Sequence, residues 1–176
     1  MTIGSFFKRV LLTVGGLVFA FYLLFFILLS LNSGPGTVDE NDYEYSLVDN
    51  RLASLQIDNN RIDLLDSYTL SGSWAGDNEV GLSVRVTGLD EELVARQGGV
   101  VRGDALTTEL DSAVEFVTDL YGGGQLDWFP SYEQILSADY YVYPYSLDFI
   151  GKYPDSVRLL IIRPMDEMVY FVYVKI

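Results

Sequence analysis

From Val10 to Leu31 the chain reads VLLTVGGLVFAFYLLFFILLSL, an unbroken run without a charge. About 20 such residues in an α-helix are enough to cross roughly 30 Å of hydrocarbon. Lys8 and Arg9 precede the run, and no basic residue follows until Arg51. A cleaved signal peptide has a shorter apolar core, roughly 7–15 residues, and a small-x-small cleavage site. Ser30 to Gly36 offers only a poor site. The pattern predicts a retained transmembrane helix over 10–31, a signal anchor, behind a cytoplasmic stub over 1–9. The positive-inside rule then places Met1 in the cytoplasm and the chain through Ile176 outside the cell membrane, as a single-pass protein. Without Cys there is no lipoprotein anchor. Gly16 and Ala20 form a small-x-x-x-small pair, which would let a second helix approach closely.

Beyond the run, Ser33 to Thr37 and the acidic Asp39, Glu40 and Asp42 read as a flexible acidic tether over 32–45. About 130 residues remain, enough for one core, and 46–176 is expected to be a single extracytoplasmic domain. The whole chain has 25 acidic and 11 basic residues. Setting aside Lys8 and Arg9 leaves 25 against 9, a charge of −16 that repels nucleic acid and anionic lipid. There is no Cys and no His. Disulfides, thiol nucleophiles, Ser-His-Asp triads, haem attachment and Cys/His zinc sites are therefore excluded. No cofactor is expected. Asp58 to Asp63 resembles part of a calcium loop, but it lacks the glycine and the distal glutamate and contains Arg61, so it reads as a polar turn.

Periodicity supplies the fold class. Tyr68, Leu70, Gly72 and Trp74 alternate with polar residues, as do Val80, Leu82, Val84 and Val86. Period two on both sides of Ala75 to Asn78 is a hairpin with one wet face. Asp90 to Arg96 suits a short helix or acidic turn. Leu106, Leu110, Ala113, Val114, Val117, Leu120 and Tyr121 fall at helical spacing, with Asp104 as the expected N-cap and Gly122 to Gly124 as the stop. Ser131 is placed to cap another short helix. Tyr140 to Tyr145 reads as extended, with Pro144 marking an edge or an end. Ser156 to Arg163 and Met168 to Ile176 read as a second hairpin. The expected class is α+β: one transmembrane helix, then a mostly antiparallel sheet with one main covering helix.

The last strand is apolar on both sides. Such a strand is central in a sheet covered on both faces, or it meets a partner. If the 106–121 helix covers one side, Val169, Phe171 and Tyr173 need a second layer or another chain. A tyrosine cluster lies nearby, near Trp128. Tyr141, Tyr143 and Tyr145 share one strand face, opposite Tyr140 and Val142. Exposed Tyr and Trp make protein hot spots or carbohydrate platforms, whereas buried they are packing residues. The candidate interaction residues are therefore Gly16, Ala20, Trp128, Tyr141, Tyr143, Tyr145, Val169, Phe171 and Tyr173. The expected role is that of a non-catalytic, membrane-anchored accessory or assembly subunit of an envelope complex, with other membrane subunits or its own copies as partners. The alternative is a membrane-tethered module that binds glycan or a small molecule on a Tyr/Trp surface.

Overall fold

The computed structural model describes residues 15–16, 18–25, 27, 50, 52, 62–71, 78–121 and 126–175. It divides into two units, Met1–Gly34 and Pro35–Ile176. The stub over 1–9, the tether over 32–45, Asp58 to Arg61 and Gly122 to Gly124 lie outside the described residues.

In the first unit, the described residues from Gly15 to Ile27 are helical and exposed. Among the described residues, no helix is long and apolar enough to cross a membrane. This corrects the sequence reading. The N-terminal transmembrane helix, the signal anchor and the single-pass membrane placement are not supported. A charge-free run has the composition of a span, but crossing also needs helix of sufficient length. Gly16 and Ala20 stand exposed on this helical stretch, and a side chain added at Gly16 would meet nothing within 4 Å.

The expected α+β class with its membrane helix is replaced by a six-stranded antiparallel sheet with short helices. The strands are β1 (Ile62–Ser71), β2 (Asn78–Val86), β3 (Val101–Arg102), β4 (Tyr141–Ile150), β5 (Tyr153–Arg163) and β6 (Met168–Lys175). Their order across the sheet is β1-β2-β6-β5-β4-β3, antiparallel throughout. The helices are α1 (Glu91–Ala95), α2 (Thr108–Tyr121) and α3 (Tyr132–Ile135). β1 pairs with β2 and β5 with β6 as expected, while Gly72 to Asp77, with the expected turn from Ala75, lie outside the described residues. β6 is internal, between β2 and β5, as its two apolar sides require.

Period two divides the side chains between two cores. On the first face lie Val80, Leu82 and Val84 of β2, Leu160 and Ile162 of β5, and Val169 and Phe171 of β6. Leu52, Leu89 and Val94 pack over them. On the second face, Val157, Leu159, Ile161, Tyr170, Val172 and Val174 meet Leu110, Ala113, Val114, Val117 and Tyr121 of α2. The helix is thus the expected cover of one side: Leu110, Ala113, Val114, Val117 and Tyr121 of the predicted stripe are buried, joined by Thr118, while Leu120 is partly exposed and Leu106 precedes the helix.

Its start differs from expectation. Asp104 lies in a 3-10 turn over Gly103–Ala105, and its carboxylate accepts from Arg102, with Nη2 at 2.9 Å. The Thr107 hydroxyl instead accepts from the Leu110 N–H at 3.3 Å, satisfying one of the free donors of the first turn. Ser131 caps α3 with a reciprocal capping box through Gln134, as expected. Gly103 lies under this helix: a Cβ there would come within 1.9 Å of the Ile135 carbonyl oxygen.

Candidate functional site

Three of the residues singled out in the sequence, Tyr143, Tyr145 and Tyr173, gather on the first face around Arg158. On β4, Tyr141 lies opposite Ile162 and Tyr143 opposite Leu160. Pro144 then interrupts the ladder, because it has no N–H to donate. The register slips between Pro144 and Ser146, so Ser146 rather than Tyr145 pairs with Arg158. The extra residue, Tyr145, is left beside the Arg158 guanidinium, whose central carbon lies 5.9 Å from the Tyr145 ring centroid. On the other side, β6 brings Tyr173 opposite Arg158. The Tyr173 centroid is 4.3 Å from the same carbon. Both distances are within the reach of cation–π attraction. Tyr143, Tyr145, Arg158 and Tyr173 are each partly exposed.

Three ion pairs join described residues: Arg96–Glu92, Arg102–Asp104 and Arg163–Asp166. Arg158 is in none of them. A guanidinium between two tyrosine rings keeps its in-plane N–H fork for a further acceptor. The arrangement can hold a planar anion, or form the anchor of a protein contact.

The other predicted residues are placed differently. Val169 and Phe171 are 0 % and 1 % exposed. Their second layer is Leu52, Leu89 and Val94 of the same chain, so neither side chain is offered at the surface. Tyr141 is buried, and its hydroxyl donates to Glu91 Oε1 at 2.9 Å, fastening α1 to β4. Burial, then Glu91, pushes the Tyr141 phenol above its ordinary value. Trp128 belongs to the opposite face. Its ring lies 3.4 Å from where a Cβ of Gly81 would be, and it stacks edge-on with Phe129 at 6.0 Å. The strand tyrosines and Trp128 therefore do not form one platform.

Arg158 was missed in the sequence. The available signal was a lone base at the strand position in step with Leu160 and Ile162, where period two otherwise selects apolar residues.

A second concavity lies on the helix side of the sheet. A crevice of about 340 Å³ is lined by Thr108, Glu109 and Ser112 of α2 and by Phe149, Gly151 and Lys152 of the β4–β5 hairpin. Gly151, at φ 67°, opens this two-residue turn in a conformation that side chains disfavour. The hairpin tip exposes Ile150 and Tyr153, and the Lys152 Nζ sits 5.1 Å from the Tyr153 ring centroid. Among the described residues, no group of three His, Cys, Asp or Glu is placed to hold a metal ion. Compared with family models, curated proteins and solved structures, the chain matches none.

Proposed function

We propose that this chain works without catalysis, as an accessory or assembly subunit that holds another protein against the Tyr143–Tyr145–Arg158–Tyr173 face. The observation that carries this reading is the half-exposed Arg158 between two tyrosine rings, with no carboxylate in ion-pair reach among the described residues. Tyr and Arg are enriched among the few residues that dominate protein interfaces, because they bring large rigid area and directional donors together. The supporting β4, β5 and β6 strands rest on a fully buried core, so the cluster is held on rigid elements.

A photo-crosslinking residue placed at Tyr145 tests this in cells expressing the full chain. A discrete adduct at position 145, absent when the same residue replaces Leu65 on β1, is the expected result. Failure to form any adduct at 145 would overturn the reading. A second reading, binding of a small molecule, rests on the crevice between α2 and the β4–β5 hairpin, whose volume suits a compact ligand. Its test is a titration followed at Phe149 and Ser112.

A further inference from the structure

We infer that the group taken up by Arg158 is a carboxylate, carried on an acidic segment of the protein partner; this rests on the docking reading above. The chain has 25 acidic residues against 11 basic ones, so an intramolecular partner for Arg158 is not scarce. Three other arginines each have one. Asp148 is nearest in register, opposite Ser156 and two ladder steps from Arg158, and it does not close the pair. Tyr173 and Tyr145 flank the guanidinium, while no Arg158 nitrogen is buried without a partner. Arg158 is partly exposed, and among the described residues no carboxylate pairs with its N–H fork. A carboxylate matches that fork with two parallel hydrogen bonds, which a lone carbonyl or hydroxyl cannot do.

The acidic balance of the chain does not prevent such docking. At physiological ionic strength, charges beyond about 8 Å are largely screened, whereas a contact between partly buried groups is screened much less. Local charge at Arg158 thus decides over distant repulsion.

The test uses the full chain and a defined probe: an N-acetylated, C-amidated peptide alternating Glu and Gly, with its Gln counterpart as comparison. Binding is followed at about 0.15 M salt by the NMR signal of the Arg158 Nε–Hε group in the unaltered chain, and by the backbone amide signals of Tyr145 and Tyr173 in the unaltered chain and the variants alike. The Glu peptide should give a saturable shift, and the Gln peptide should bind about ten-fold more weakly, the loss expected for a charge-assisted pair. Arg158→Gln should lose about the same factor, and Arg158→Lys should recover only part of it, because an ammonium cannot fork. Equal affinity for the two peptides, or no saturable shift with the Glu peptide, overturns the inference. The peptide comparison on the unaltered chain needs no variant and is independent of any folding defect. An adduct at Tyr145 that persists in Arg158→Gln would leave docking in place and remove the carboxylate. Absence of the adduct at position 145 with Arg158 retained would remove docking itself.

Discussion

Phe171→Ala is the most informative single change, because the two ways of covering the first sheet face disagree about it. Phe171 is 1 % exposed and lies in register between Leu82 of β2 and Leu160 of β5. A fully buried phenylalanine removes on the order of 200 Å² from water, which at about 25 cal/mol per Å² is roughly 5 kcal/mol. The methyl kept by alanine returns about 0.8 kcal/mol, leaving a loss of about 4 kcal/mol, within the range of about 3–5 kcal/mol for such truncations. A domain of this size has about 5–15 kcal/mol in total. With a urea dependence of about 2 kcal/mol per molar, the unfolding midpoint should fall by about 2 M. Urea unfolding of the purified full chain, followed by circular dichroism, measures this. Tyr153→Ala, at a residue 67 % exposed, should stay within about 0.5 kcal/mol and serves as control. A loss below about 1 kcal/mol for Phe171→Ala would refute the burial argument. It would mean that Leu52, Leu89 and Val94 do not close the face and that another chain must.

Gly103→Ala should destabilise by at least about 1–3 kcal/mol, since its methyl would lie 1.9 Å from the Ile135 carbonyl oxygen and backbone must shift; a melting temperature equal to the parent would refute this. In alkali, Tyr170 and Tyr121 should act together. Burial, followed by neighbouring groups, pushes Tyr170 up to about 12 and Tyr121 higher still. The unfolded value is about 10, so the folded pKa is raised: stability is complete below pH 10 and is lost as pH rises through 12. Tyrosinate absorbance and circular dichroism should therefore change together in that window. Smooth ionisation of all 13 tyrosines without loss of structure would contradict it.

What was legible in the sequence was periodic. The Tyr68–Val86 hairpin, the Leu106–Tyr121 stripe and the two-sided final strand each repeat a signal over many residues, and each became an element. What was not legible depended on single residues or distant partners. Asp104 satisfied the sequence rule for a cap, yet Arg102 two residues away took its carboxylate and Thr107 supplied the cap. Leu52, Leu89 and Val94 carry no shared period, so nothing in the chain marked them as the cover over Phe171. The slip beside Pro144 was visible only as a proline near an edge, and it is this slip that sets Tyr145 beside Arg158. The apolar run at 10–31 was the loudest signal, yet among the described residues no helix is long and apolar enough to cross a membrane.

The sheet edges explain why docking would use a face. β1 is one edge, ten residues long, and at the other end β3 pairs with only two residues of β4. Unpaired strand edges recruit other strands unless something blunts them. On β1 the register slips between Leu64 and Asp66, and Asp63 and Asp66 put charge on that strand. The extra residue is Leu65, and beyond it the Ser83 hydroxyl donates to Asp66 Oδ2 at 2.9 Å, tying the two strands where pairing resumes. On β4 the blunting comes from Pro144 and from the slip between Pro144 and Ser146. A strand that is bulged and lacks one N–H is a poor template for adding a further strand. Yet this slip also sets Tyr145 beside Arg158. The irregularity that closes the edge to strand addition therefore builds the surface on which side-chain recognition can occur, and restoring regular pairing by deleting Tyr145 would remove the cradle while opening the edge.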